Sequence, residues 1–242
     1  MARALARGWG DPVLVSDSGS GRAQALADEL GGEAFDSNLE VARGADLVVL
    51  CHKPPQLSQV AQEIANEVKP VASVLAATPL EALGRAYPDR PVFRIMPNTP
   101  VEVRRGVVCF TAPGDAPPDL ERKVIELFDR VGEVIPLPEH LLEVATDISG
   151  VGPAYQALLA EAQVDAAVRY GLNAALAGRL VAETMAGTAA LLEHRDYDTL
   201  TVRREVTSPG GGTARGLAAL ERAGVRAAFQ NAMDALQSWS AR

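Results

Sequence analysis

The chain alternates two hydrophobic rhythms up to about residue 138 and keeps only one thereafter. Residues 12–16 form a short apolar run that reads as a strand. Residues 20–30 carry helical spacing that stops at Gly31-Gly32. Leu47-Val48-Val49-Leu50-Cys51 is continuously apolar, as expected of a parallel strand buried on both faces. Residues 57–68 have helical spacing. Residues 71–76 and 92–96 read as strands, with a short helix near 79–86 between them. Residues 106–111 and 133–137 read as later strands flanking a helix over 118–130. Alternation of this kind predicts an α/β layer with a mostly parallel sheet.

After Pro138 the strand signals vanish. Residues 153–192 are rich in Ala and Leu, and Glu161, Asp165, Arg169, Arg179 and Glu183 recur four apart within each half. They mark narrow polar stripes on helices that are apolar over most of their circumference. Such helices are either central core helices or interface helices of a homo-oligomer. The span is too short to wrap two of them completely, which favours the oligomer, a dimer or larger. The expected division is therefore a sheet domain over residues 1–138 and an all-α oligomerisation domain over 139–242. No internal repeat or low-complexity segment is present.

Composition narrows the function classes. The 242 residues are 48% hydrophobic and 22% charged, which is ordinary globular material. A net charge of −8 argues against nucleic acid as a partner. Cys51 and Cys109 suit a reducing compartment, and His52, His140 and His194 lack metal-ligand spacing. The opening Met1-Ala2-Arg3-Ala4-Leu5-Ala6-Arg7 is too short and too charged for a signal peptide. No uninterrupted apolar run approaches the ~20 residues of a bilayer span. A cytoplasmic protein without metal or membrane is the expectation.

One loop carries candidate chemistry. Val206-Thr207-Ser208-Pro209-Gly210-Gly211-Gly212-Thr213 is a glycine run that opens a helical segment. Bare amides converging at a helix N-terminus suit an anion. Ser208 and Thr213 are also ordinary helix-capping residue types, so a purely structural loop is the alternative. No G-x-G-x-x-G occurs anywhere in the chain.

Four motifs in order resemble the pyrroline-5-carboxylate reductase family. They are Lys53-Pro54 after the apolar strand, Arg94-Ile95-Met96-Pro97-Asn98-Thr99-Pro100, Ser149-Gly150-Val151-Gly152-Pro153-Ala154-Tyr155, and Val206–Thr213. The resemblance implies a Rossmann-like domain, a helical domain that interlocks with a second subunit, and NADPH or NADH as hydride donor. It also implies a strand and a glycine-rich turn ahead of a helix that looks like residues 1–8, on the order of ten residues. Either the natural start lies upstream of Met1 or the chain is truncated; an in-frame upstream segment would decide. A first strand of this kind is central, so its loss would leave two neighbouring strands with unpaired backbone.

The resemblance assigns roles residue by residue. Asp17 follows a strand where an acid meets a ribose hydroxyl. Ser16, Ser18, Ser20 and Arg22 could instead hold a 2′-phosphate, or Asp17 and Ser18 simply form a turn. Asn38 contacts the adenosine side or caps the helix that follows it. Cys51, His52, Lys53 and Pro54 line the cofactor near the nicotinamide, with His52 either an acid or an exposed loop histidine. Ile95, Met96, Pro97 and Asn98 border the nicotinamide ring or form a proline-constrained turn. Ser208, Gly210, Gly211 and Gly212 hold the substrate carboxylate, and Thr213 hydrogen-bonds the imine nitrogen as candidate proton donor. Glu139 matches an acid near the substrate pocket, Glu205 departs from the family, and Ser149–Pro153 acts by shape. The activity implied is reduction of 1-pyrroline-5-carboxylate to L-proline. The alternatives are another NAD(P)-dependent imine or keto-acid reductase, and a non-catalytic oligomeric remnant.

Overall fold

A computed structural model describes residues 1–240. The chain opens with helix α1 (Ala2–Trp9), then β1 (Leu14–Ser16), α2 (Arg22–Leu30), β2 (Glu33–Phe35), α3 (Asn38–Gly44) and β3 (Val48–Leu50). A 3-10 turn over Pro54–Gln56 leads into α4 (Leu57–Ile64). Next come β4 (Val71–Ser73), α5 (Leu80–Ala86) and β5 (Val92–Pro97), and a second 3-10 turn over Thr99–Val103. β6 (Gly106–Thr111), α6 (Pro118–Asp129), β7 (Gly132–Pro136) and α7 (Glu139–Ser149) follow. The rest is helical: α8 (Gly152–Arg169), α9 (Ala174–His194), α10 (Thr199–Glu205), α11 (Gly212–Arg222) and α12 (Val225–Ser240).

The expected alternation is present, with differences at one strand and one helix end. The strand β2 escapes the sequence pattern because it is three residues long and starts on Glu33. The helix expected to residue 68 stops at Ile64, and a turn closed by the Val68 N–H on the Ile64 carbonyl buries Val68 instead. β3, β4, β5, β6 and β7 lie in that order in one sheet, parallel except for β5 against β6. β1 pairs in parallel only with β2, in a separate two-stranded ribbon. The interruption falls between β1 and β3, where the resemblance implies a further central strand.

Both faces of the larger sheet are covered. On one face Val48 and Leu50 pack with Ala42 of α3, Ile64 and Leu83. On the other, Leu5 of α1 packs with Phe93, Phe110 and Phe128, and Leu47 and Val49 border that cluster. Phe93 and Phe110 stack at 5.7 Å across the antiparallel pair. α1 ends on Gly10 in the left-handed conformation, and Arg104 Nε donates to the Gly8 carbonyl at 2.7 Å. These bonds satisfy carbonyls that a short helix leaves free.

The two compact units in space divide at Pro153, so α7 belongs with the sheet, although a sequence boundary was expected at residue 138. In the second unit Asn173 caps α9 and Asp198 caps α10 through side-chain oxygens. Among its described residues only Ala177 and Val202 are buried. Leu158, Leu180, Leu220 and Phe229 stay exposed, an unpartnered apolar surface of the kind that marks association. α9 is apolar and long enough to cross a bilayer by length and composition, but Arg179 and Glu183 interrupt it.

Gly8 faces the second 3-10 turn so closely that a Cβ there would sit 2.1 Å from the Val101 carbonyl oxygen. Gly8→Ala is expected to destabilise the protein by about 1–3 kcal/mol in urea unfolding, because α1 must lift off that turn.

Candidate active site

The carboxyl ends of parallel strands are where open α/β sheets bind ligands. After β1 the chain turns through Asp17-Ser18-Gly19-Ser20-Gly21-Arg22. Asp17 Oδ1 accepts from the Gly19 and Ser20 amides at 2.7 and 2.8 Å, and Oδ2 from Ser20 Oγ at 2.9 Å and the Ala23 amide at 2.7 Å. A carboxylate has about four acceptor sites, so Asp17 is saturated within its own turn. Those bonds, the Ala23 amide first, hold its pKa well below the usual carboxylate range. Asp17 thus organises the loop, and its carboxylate has no acceptor site left for a ribose hydroxyl. The side chains of Ser18 and Arg22 are exposed at the loop's tip. Arg22 Nε donates to Ser20 Oγ at 2.8 Å.

Asn38 is the first residue of α3, and the helix is capped by Ser37, whose Oγ accepts from the Leu39 amide at 3.1 Å. The Asn38 carboxamide accepts from Ser16 Oγ at 2.8 Å and donates to Glu63 at 2.6 Å. It joins the end of β1 to α4 rather than capping its own helix.

After β3, the Cys51 thiol is pushed up to about 11, chiefly by burial. It is therefore a poor nucleophile at neutral pH. His52 Nδ1 lies 2.9 Å from the Lys53 carbonyl, which requires the Nδ1–H tautomer for a hydrogen bond. Nε2 is buried without a hydrogen-bond partner among the described residues. Lys53 is exposed and Pro54 begins the 3-10 turn, so this loop presents groups at the sheet edge.

The motif on β5 behaves differently. Ile95 and Met96 are buried in the core clusters, and Pro97 keeps a partly open surface. Asn98 is buried, with its Nδ2 donating to the Ser149 carbonyl at 3.1 Å and its Oδ1 accepting from the Val107 amide at 2.8 Å. The side chains of Ile95, Met96 and Asn98 are thus spent inside the protein.

Arg94 was not anticipated. Its side chain is 3% exposed, and its guanidinium pairs with Glu139 at 3.4 Å and with Glu143 in a shorter contact. Glu139 Oε1 also accepts from the Leu80 amide at 2.6 Å, at the start of α5. Glu139 therefore anchors α7 to the sheet rather than standing free for a substrate. One signal in the sequence pointed here: a charge inside the apolar run 92–96 demands a buried partner. Its partners lie 45 and 49 residues away, beyond any local pattern.

In the second unit, the Ser208–Thr213 loop is a turn followed by α11. The Gly211 amide donates to the Ser208 carbonyl at 3.1 Å, and Gly210 is left-handed with φ 72°. A Cβ at Gly211 would sit 2.4 Å from Ser208 Oγ, so the hydroxyl would have to rotate away to admit a side chain. The first amide of α11 returned to the helix is that of Arg215, on the Gly211 carbonyl. The amides of Gly212, Thr213 and Ala214 remain for an anion, while that of Gly211 is used. Thr213 is exposed at the second position of the helix. Glu205 pairs with Arg195 at 2.9 Å, which offsets its charge beside the loop.

The loops after β1 and β3 offer polar groups for the two ends of a dinucleotide.

Comparison with known proteins adds the lineage. Residues 139–241 match the family model for pyrroline-5-carboxylate reductase dimerisation, and residues 1–77 match that for NADP oxidoreductase, coenzyme F420-dependent. The pyrroline-5-carboxylate reductase of Synechocystis sp. is 34% identical over 93% of this chain and 85% of its own length. That of Thermus thermophilus is 38% identical, over 79% and 73%. The structure of the Coxiella burnetii reductase superposes with a TM-score of 0.87 at 28% identity, covering 99% of this chain and 93% of that one. The Plasmodium falciparum enzyme, with NADP bound, gives 0.86 at 26%, over 98% and 92%.

Asn98→Ala is expected to cost about 2–3 kcal/mol in urea unfolding, since it strands the Val107 amide and the Ser149 carbonyl together. Asp17→Asn is expected to lower the melting temperature at neutral pH. Because the folded pKa of Asp17 is depressed, its contribution is full above the unfolded value of about 4 and is lost as pH falls below it. Wild type and variant should therefore converge in melting temperature on acidification.

Proposed function

The chain belongs to the pyrroline-5-carboxylate reductase family, and from that premise we propose that it reduces 1-pyrroline-5-carboxylate to L-proline with a nicotinamide cofactor. The reading rests above all on 34% identity to a reductase of that name across 93% of the chain. The Val206–Thr213 loop supplies the matching chemistry. It assigns the substrate carboxylate to the amides of Gly212, Thr213 and Ala214 at the start of α11, with Ser208 beside them and Gly210 and Gly211 shaping the turn. Macrodipole and free amides both favour an anion there.

Reduction of the cyclic imine adds a hydride to carbon and a proton to nitrogen. The bound reduced nicotinamide supplies the hydride. Thr213 is the hydroxyl assigned to the ring nitrogen. A hydroxyl is a weak acid at neutral pH, so its work is to polarise the nitrogen or to pass a proton from water. The remaining task of the chain is alignment of the ring, which lowers the barrier through orientation. Self-association as a dimer or larger assembly follows from the exposed apolar helices and the dimerisation match. A cytoplasmic location fits two free cysteines and a biosynthetic role.

For the cofactor, we read NADPH over NADH. Saturation of Asp17 removes the group that would select a 2′-hydroxyl, and Ser18 and Arg22 are the side chains free to meet a 2′-phosphate. The second reading is a non-catalytic oligomeric protein. Nicotinamide fluorescence during titration of the 242-residue chain, beside a version extended by a strand and a glycine turn, separates the two. Cofactor binding and turnover of 1-pyrroline-5-carboxylate by the extended protein support the reductase. Binding by neither protein supports the remnant, and turnover of other imines or keto acids alone redirects the substrate.

In a cofactor-competent form, Thr213→Val is expected to lower kcat/KM by ~10–100-fold, the effect of one hydrogen bond of ~1.5–3 kcal/mol. Unchanged kinetics would remove Thr213 from the reaction. Arg22→Ala is expected to raise KM for NADPH while leaving that for NADH within about twofold, since only one carries the phosphate that Arg22 would meet.

A further inference from the structure

Among the described residues, the buried side-chain polar atoms without a hydrogen-bond partner are Arg94 Nε, Tyr87 Oη and His52 Nε2. Arg94 is paired through its other two nitrogens, and Tyr87 packs in the core with Ile64 and Leu83. Of these atoms, only His52 Nε2 stands on a loop at the carboxyl end of a parallel strand, where open sheets bind ligands.

That loop locks itself. The Gln56 amide donates to the Lys53 carbonyl at 2.9 Å, and Gln56 Oε1 accepts from the Lys53 amide at 3.0 Å. Pro54 and Pro55 restrict the backbone between them. The same Lys53 carbonyl lies 2.9 Å from His52 Nδ1, which ties the imidazole to the locked backbone. The ring is thus preorganised with one polar atom unspent. An unpaired buried nitrogen weakens the fold that holds it, so it calls for a role outside packing. The ring as a whole keeps part of its surface open, so a side-chain movement brings Nε2 to a ligand without breaking the Gln56 bonds.

We propose that His52 Nε2 hydrogen-bonds a hydroxyl of the ribose attached to the nicotinamide and so positions the reactive end of the cofactor. The inference rests on the reductase reading. A hydrogen bond to the Lys53 carbonyl places a proton on Nδ1, so Nε2 accepts in a neutral ring and donates in an imidazolium. A hydroxyl answers either state, because it both donates and accepts. A phosphate answers only the second, and a carboxamide must flip to follow the change. In a nicotinamide dinucleotide the hydroxyls belong to the two riboses. The loop after β1 carries Ser18 and Arg22, the side chains free to meet a 2′-phosphate, and so takes the adenosine ribose. The loop after β3 is left for the other.

The test uses protein labelled with 15N-histidine, in its cofactor-competent form, with the His52 signals assigned by their loss in His52→Phe. It is titrated with NADPH, with reduced nicotinamide mononucleotide, with 1-methyl-1,4-dihydronicotinamide, which keeps the carboxamide and lacks the ribose, and with 2′,5′-ADP, which carries the adenosine end alone. The Nε2 resonance should move with the first two and stay with the last two. His52→Phe should raise the Kd for NADPH about tenfold, the loss of one hydrogen bond, and leave that for 2′,5′-ADP within about twofold. Its melting temperature should be no lower than that of wild type, because the ring is kept and the unpaired nitrogen removed. His52→Gln, whose amide reaches the place of Nε2, should recover most of the lost affinity. An unmoved resonance, or an unchanged Kd in His52→Phe, overturns the proposal and leaves the reductase reading intact. Movement with 2′,5′-ADP assigns the nitrogen to the other ribose and movement with the dihydronicotinamide to the carboxamide, and either result overturns the proposal. Binding of neither NADPH nor the mononucleotide by wild type overturns this proposal and the reductase reading together. If His52→Phe does not fold, His52→Gln supplies the assignment and the resonance decides alone.

Discussion

The guanidinium of Arg94 is the interaction on which the sheet unit's organisation turns. A charge on the central strand of a covered sheet carries a desolvation penalty of several kcal/mol unless it is paired. Two carboxylates from one face of α7 supply the pairing, four residues apart as helical geometry requires. Both carboxylates keep contact with water, so the ions lose less hydration than a fully buried triad would. The consequence is positional. α7 cannot slide along the sheet without abandoning Arg94, and its first residue also holds the start of α5 through the Leu80 amide.

The same helix is fixed again at its far end. Asn98 ties the Ser149 carbonyl to the strand β6 through the Val107 amide, and Ser149 Oγ lies 3.6 Å from the Cys109 sulfur. The Arg94–Asn98 motif thus fastens α7 at both ends, with Ile95 and Met96 filling the core between. Motif residues that resemblance places around a nicotinamide contribute here mainly by fixing the elements that frame the edge. Pro97 and the loop Cys51–Pro54 are left to form its surface.

The helical unit has apolar side chains without cover, Leu158, Leu180, Leu220 and Phe229 among them, which cost free energy through hydration and are relieved by an apolar partner.

Much of the fold was legible along the chain. Apolar runs gave β3, β5 and β6, helical spacing gave α2, α6 and the long C-terminal helices, and the glycine loop at Ser208–Thr213 announced a turn into a helix start. Those signals are local, because strand and helix periods and turn chemistry are written within ten residues or so. The fate of individual polar groups was not legible. Nothing near Asp17 says that four donors of its own turn will fill it, nor does anything near Glu139 say that Arg94 and Leu80 will claim it. Nor could the pattern tell that Gly211 spends its amide while Ala214 keeps one free. Hydrogen-bond partners are chosen by distance and angle in space, among residues tens of positions apart. The sequence by itself therefore determined which elements form and what chemistry they carry, and tertiary structure alone decided which of those groups remain unspent.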